Sequence, residues 1–368
     1  MIYFDHNATT PIDPRVVEAM LPYWHGLYGN PSSLYRMGRI ARSAIDSARE
    51  QVAALVDACP SQIIFTSGGT EANAMAMASA ANRRLILSAI EHPSVAENAI
   101  CRQQSYQGIE TLPTDASGLV TPANLDGSKL RPGDFVSVML ANNETGAIQD
   151  VAGLVATAVE AGAVVHTDAV QALGKIPVSF RGLGVRLMSL SGHKIYGPKG
   201  CGALVAGTDW PVRPLQCGGD QELGLRAGTE NVAAIVGFGK AAELARLEME
   251  QRVTHLLHLR QLLESRLGEF SGRVIFAEQA PRLPNTVQFA VPGVNGEMLL
   301  MQLDQKNIAV SSGSACKAGS DRASPVLTAM GFEAPLARAA IRVSFGKDNT
   351  TQQVEQFISV LRTLVNQE

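Results

Sequence analysis

The sequence predicts an α/β protein: a large domain built on a mostly parallel sheet, with a smaller α+β domain beside it. Three observations carry that expectation. From Ile63 to Leu190 apolar β-type runs alternate with helical stretches, the rhythm of a sheet with helices on both faces. The 368 residues exceed what one compact core usually holds, and an apolar content of 46% is ample for two. Past Leu267 the elements become shorter and of mixed type. The boundary is placed inside the helical region Val232 to Leu267, giving a large domain of residues 15–259 and a small one of 1–14 and 260–368.

The chain opens on a polar, turn-rich run, Asp5 to Pro11, of the kind that ordinarily frays at a terminus. A helix starts at Pro14 with Asp13 as its cap, and Asn30 to Ser33 make a turn. Tyr35 to Val56 has amphipathic helical spacing, and the arginines from Arg36 to Arg49 are expected on its solvated face. Next come a strand, Ile63 to Thr66, the turn Ser67-Gly68-Gly69-Thr70-Glu71, and a helix over Ala72 to Ala81. Free N–H groups and the helix dipole make such a junction a site for one phosphate; equally, it is a tight turn capped by Thr70. The GK[ST] ending of a P-loop is missing.

Strands follow at Leu85 to Ala89, Phe135 to Leu140, Ala163 to His166 and Leu187 to Leu190, with helices after Pro93 and over Val151 to Ala161. Ligands of such sheets bind beyond the carboxyl ends of the strands. Polar residues stand at those ends: Glu91-His92, Asn142-Asn143-Glu144, Asp168 with Gln171, and Ser191-Gly192-His193-Lys194. Each alone could cap a turn or open a helix; their shared position points to one pocket. Lys194 sits on a tight turn within Leu187 to Val205. It is either a solvated loop lysine or a desolvated amine able to form a Schiff base with a carbonyl, as pyridoxal phosphate chemistry requires. On the second reading Asp168 would keep the pyridine nitrogen protonated, and His92 would stack on the ring and move protons. Gln171 and Asn143 would donate to the ring oxygen or the substrate, and Ser191, His193, Gly69 and Thr70 would gather on the phosphate.

The loop Gln216 to Asn231 is too long for a plain connector and is expected to contact something, and the leucines from Leu256 to Leu263 read as core or dimer packing. The small domain holds strands at Asn285 to Ala290, Ile308 to Ser311 and Ile341 to Ser344, with helices over Glu297 to Lys306 and from Gln352. Cys316 lies in a Ser/Gly/Lys run, which predicts an exposed thiol, favoured as thiolate by Lys317. Arg342 interrupts a β-run, pointing either outward or at a carboxylate such as that of an amino acid.

A formal charge of −3 and the lack of a long basic run argue against nucleic acid or a membrane surface as partner. No signal peptide or spanning run is seen, so a cytoplasmic location is expected. The five cysteines form no CxxC pair, so neither a disulfide framework nor a zinc site is expected.

The segments DHNATTP, NPSS, FTSGGTEAN, EHPSV, NNETG, TDAVQ, SGHKIYGPKG, RAGTEN, SSGSAC and IRVSFG, in this order, closely resemble the NifS/IscS-type cysteine desulfurases, class V pyridoxal-phosphate enzymes of fold type I. The resemblance implies a homodimer that converts L-cysteine to L-alanine and holds the sulfur as a persulfide for a sulfur acceptor such as an iron–sulfur scaffold. By motif, Lys194 would be the Schiff-base lysine, Cys316 the persulfide carrier, His92 the ring-stacking acid/base and Asp168 the pyridinium partner. Gln171 and Asn143 would contact the ring oxygen or substrate. Gly69, Thr70, Ser191 and His193 would form the phosphate cup, Thr229 would reach the partner subunit's phosphate, and Arg342 with Asn7 would bind the substrate carboxylate. No resident metal is implied; Cys316 is at most a transient iron–sulfur ligand.

Asp220, Leu223 and Tyr35 depart from the family pattern and bear on partner contacts more than chemistry. The short stretch after the last helix leaves engagement of an iron–sulfur scaffold open. A selenocysteine lyase or aminotransferase, or an idle sulfur-relay scaffold, are the alternatives; Cys316 speaks against the transferase, and intact Lys194, Asp168 and His92 against the scaffold.

Overall fold

A computed structural model describes residues 1–312 and 323–365. Its centre is a seven-stranded sheet in the order Ile63–Thr66, Gly202–Ala206, Leu187–Ser191, Val164–Asp168, Phe135–Ser137, Arg84–Ser88 and Gly108–Leu112. Gly202–Ala206 runs antiparallel to both neighbours and every other pairing is parallel. Three of the five inner strands are buried along their whole length, and Val164–Asp168 and Arg84–Ser88 in all but their first residue. Such strands suit a sheet covered on both faces, because neither side can be polar. The outer strand Gly108–Leu112 is largely exposed and carries little apolar signal, which explains why the sequence did not announce it.

The opposite edge strand, Ile63–Thr66, is finished by side chains. Arg49, from the helix Arg36–Leu55, donates to the Ile63 carbonyl at 2.7 Å, while the Phe65 N–H donates to Glu222 at 2.8 Å. Arg49 and Glu222 are themselves paired through both guanidinium ends, at 2.6 and 2.8 Å. The expectation of a solvated arginine face is therefore corrected: Arg36 and Arg39 are exposed, but Arg42 reaches Glu230 at 2.7 Å and Arg49 is clamped beneath the glycine-rich loop.

A second core gathers Leu256, Leu259, Leu263 and Leu267 of the helix Met249–Leu267 with Phe289, Val343, Phe357 and, from the chain start, Ile2 and Phe4. It covers the three-stranded antiparallel sheet Ile341–Ser344, Thr286–Ala290, Val274–Ile275. The region Val232 to Leu267 is two helices rather than one, parted at Glu248, whose carboxylate takes Arg15 and Arg252. The chain start does not fray. Ile2 and Tyr3 pair in parallel with Ile308 and Ala309, and Asp5 bridges to Ser344. Those pairings carry residues 5–10 across the carboxyl edge of the large sheet, where the polar strand ends converge.

Candidate active site

A cavity of about 300 Å³ opens at that edge. Its lining brings together Gly69, Thr70, His92, Asn143, Asp168, Gln171, Ser191, His193, Lys194, Arg342 and Asn7, all proposed from the sequence, and adds Asn73, Ser94 and Met139. Thr229 is not among them; it lines a separate cavity of about 280 Å³ with Ser67, Arg226 and Asn231. Cys316 lies outside the described residues.

Lys194 closes the short turn Gly192–Lys194 that follows the strand Leu187–Ser191. Its Nζ donates to the carbonyls of Asn7 at 2.5 Å and Ala8 at 2.7 Å, so the amine is held by the chain start and is not a solvated loop lysine. His193 contacts the Thr9 hydroxyl at 3.1 Å, and burial with the nearby Lys194 and Lys199 pushes its pKa down to about 4.

Asp168 ends the strand Val164–Asp168 and accepts from the Val170 N–H at 2.9 Å and from Asn73 Nδ2 at 2.6 Å. Asn73 also donates to Ser94 Oγ at 2.8 Å, and Ser94 Oγ meets His92 Nδ1 at 2.7 Å. Because the Ser94 N–H also donates to Nδ1, at 3.0 Å, the proton of the neutral ring sits on Nε2. Burial lowers the His92 pKa, Lys194 adds to that, and Asp168 opposes it. Nothing in its neighbourhood singled out Asn73; its only signal was one amide in the Ala/Met-rich stretch GTEANAMAMAS.

The helix Gly69–Ser79 starts at Gly69, with Gly68 in the cap position and no side-chain cap bond. Thr70 is thus inside the first turn and does not cap it, which removes the capped-turn reading. Beside this helix start, Ser191 Oγ is buried without a partner among the described residues. Glu91 and Glu144, equal candidates at their strand ends, turn away from the cavity. Glu91 accepts from Ser88 Oγ and the Met139 N–H, both at 2.7 Å. Glu144 accepts from Ser324 Oγ at 2.6 Å and Gln288 Nε2 at 3.3 Å.

Arg342 is buried and inward. It donates to Asp5 Oδ1 at 2.6 Å and to the Asn143 carbonyl at 2.9 Å, and its Nε is buried without a partner among the described residues. Gln171 donates through Nε2 to the Asn7 carbonyl at 2.9 Å and accepts at Oε1 from Lys175 Nζ at 2.8 Å. Lys175 was missed by the sequence reading; its signal was the spacing of four residues from Gln171. No group of three or more metal-ligating side chains is found among the described residues, and no helix there is long and apolar enough to cross a membrane.

Residues 2–357 match the family model Aminotransferase class-V. The chain is 40% identical to the cysteine desulfurase IscS of Dictyoglomus turgidum, over 99% of this chain and 94% of that one. A solved NifS-like protein superposes with a TM-score of 0.92 at 36% identity, covering 100% of both chains. A structure titled SspA in complex with cysteine superposes with a TM-score of 0.83 at 31% identity, covering 95% of this chain and 100% of that one.

Proposed function

We propose, from the premise that this chain belongs to the class V aminotransferase family, that it is a pyridoxal-phosphate-dependent cysteine desulfurase. The observation that carries the reading is the convergence of Lys194, His92, Asp168 and Arg342 on one cavity at the carboxyl edge of the sheet. The cavity suits the cofactor on its own terms. The partnerless Ser191 hydroxyl beside the uncapped start of the helix Gly69–Ser79 suits a phosphate, and the Asp168 carboxylate, fixed by two donors, suits a pyridinium nitrogen.

Gly69, Thr70, Ser191 and His193 would hold the phosphate, Asp168 the ring nitrogen, and Gln171 with Asn143 the ring oxygen or substrate. Thr229, on its own cavity, would serve the phosphate bound in the other subunit of a homodimer. Bound there, pyridoxal phosphate supplies an aldehyde for Lys194 and an electron-withdrawing ring that weakens bonds at the amino acid's Cα and Cβ.

The chain's own residues divide the remaining work. Arg342, with Asn7 beside it, binds the substrate carboxylate; the guanidinium is already held by Asp5 and the Asn143 carbonyl, so it need not reorganise. Lys194 Nζ and His92 Nε2 move the protons. The Cys316 thiolate takes the substrate sulfur: the Cβ–S bond breaks, an S–S bond forms, and the atoms balance as cysteine plus thiol giving alanine plus persulfide. A sulfur acceptor, such as an iron–sulfur scaffold, then removes the outer sulfur.

The test is to load the purified protein with pyridoxal phosphate, supply L-cysteine and a thiol reductant, and count alanine against sulfide. Equal yields are expected from the wild type and neither product from Cys316→Ala, which should keep the cofactor's absorbance. A loaded wild type that makes no alanine, or a Cys316→Ala variant with full activity, overturns the reading.

A further inference from the structure

Lys175 is a buried amine beside the cavity that the proposed reaction leaves unused. Among the described residues no carboxylate pairs with it. Its Nζ donates instead to two side-chain amides, at 2.8 Å to Asn7 Oδ1 and at 2.8 Å to Gln171 Oε1. Burial pushes its pKa well below the ordinary lysine value, and the charges of Lys194 and Arg342 add to that. Keeping such a group costs the fold stability unless its contacts are needed.

The contacts show what it does. An amide has an accepting and a donating end, and fixing one fixes the other. With Oε1 turned to Lys175, Gln171 gives one N–H to the Asn7 carbonyl at 2.9 Å and has only its second N–H for the cavity it lines. Asn7 is determined in the same way: Oδ1 takes Lys175 and, at 3.1 Å, Asn285, while Nδ2 donates to Thr286 at 2.9 Å and to the Asn143 carbonyl at 3.2 Å. The Asn7 main-chain carbonyl, so placed, receives Lys194 Nζ. A neutral amine and an ammonium each carry at least the two N–H groups these acceptors require, so the arrangement survives titration of Lys175.

We propose that Lys175 is a positioning residue: it locks Gln171 with an N–H toward the cavity and holds Asn7 so that its carbonyl stays in place against Lys194. The proposal rests on the reading of the cavity as a pyridoxal phosphate site, in which Gln171 faces the ring oxygen or the substrate. Without the Lys175 donor the Gln171 amide is held only by its bond to the Asn7 carbonyl, and a turn that brings its own carbonyl inward, opposing negative charge on a ring oxygen, becomes less costly.

The experiment compares the wild type, Lys175→Met, Gln171→Met and the double variant, each loaded with pyridoxal phosphate and followed by cofactor absorbance across pH. Among the described residues, the charged or titratable groups within electrostatic reach of Lys175 are Lys194, Arg342 and His6; those within reach of Lys194 include His92 and His193. Lys175→Met is expected to move the midpoint of the absorbance change upward by about one pH unit, through loss of the Gln171 N–H donor to the anionic oxygen. The double variant is expected to move no further than the larger single shift, because both changes act through one amide. Lys175→Gln, which keeps N–H donors on a shorter stem, is expected to shift less than Lys175→Met; should the Met variant not fold, the Gln variant must still show a rise. An unchanged midpoint in a folded, loaded Lys175 variant, or single shifts that add in full, overturns the positioning role alone. A wild type that takes up no cofactor overturns the cofactor reading and this proposal with it.

Discussion

Glu91 offers a sharp test of how the buried strand ends are built. Its Oε1 accepts from Ser88 and from the Met139 N–H, while Oε2 is buried with no partner among the described residues. Burial is the main cause that pushes its pKa from 4.5 up to about 8, and repulsion from Asp168 adds to it. The folded protein therefore keeps a proton that the unfolded chain gives up above its ordinary carboxylate pKa. Stability from this group is fully present below pH 4.5 and falls as pH rises toward about 8. At about 1.4 kcal/mol per unit, the loss by pH 8 is on the order of 4–5 kcal/mol. Glu91→Gln keeps an oxygen for the same two donors and cannot titrate. For a chain of 368 residues the entropy of melting is roughly 0.8 kcal/mol per degree, so the difference corresponds to about 5–6 °C. Scanning calorimetry on the cofactor-free protein should show the variant's Tm pulling ahead of the wild type by about that amount between pH 4 and 8. Parallel Tm curves over that range would refute the placement of an uncompensated carboxyl there.

Asp168→Asn keeps an oxygen for the Val170 N–H but loses the bond from Asn73, and should lower kcat ten- to a hundredfold through loss of a charge-assisted contact, read by alanine formation at saturating cofactor. Arg342→Lys should raise KM for cysteine about tenfold or more with a smaller change in kcat, because a single ammonium cannot replace a fork held at both ends; steady-state kinetics decide it. Gly346→Ala would set a Cβ 2.1 Å from His6 Cε1, and the buried ring next to Asn7 must shift. A loss of roughly 1–3 kcal/mol, or about 1–4 °C in Tm, is expected together with weaker cofactor uptake; an unchanged Tm would refute the tight packing.

The strand-end residues were legible because a parallel sheet turns local order into spatial convergence: a polar residue just past an apolar run has one edge to point to. His92, Asp168, Ser191 and Lys194 each follow such a run and meet at one cavity. Glu91 and Glu144 carry the same local signal yet turn inward, since a one-residue change in backbone direction is not written in polarity. Asn73 and Lys175 were illegible for the converse reason: each is a polar side chain in an apolar-looking stretch, and only the tertiary fold supplies partners. The chain start was misread because its order comes from pairing with Ile308 and Ala309, some three hundred residues away. Arg49 looked solvated because Glu222, its counter-charge, is far off in the chain.

The Arg49–Glu222 clamp also bears on how this molecule meets its neighbours. A terminal strand with open N–H and C=O groups is a template on which another chain can continue the sheet. At Ile63 and Phe65 a guanidinium and a carboxylate already occupy those groups, in the places a further strand's amide and carbonyl would take. The pair acts as a false neighbour that ends the ladder. At these two groups contact falls to side-chain surfaces, which sort partners by shape and charge, while backbone pairing, which is indifferent to sequence and leads to fibres, finds no foothold there.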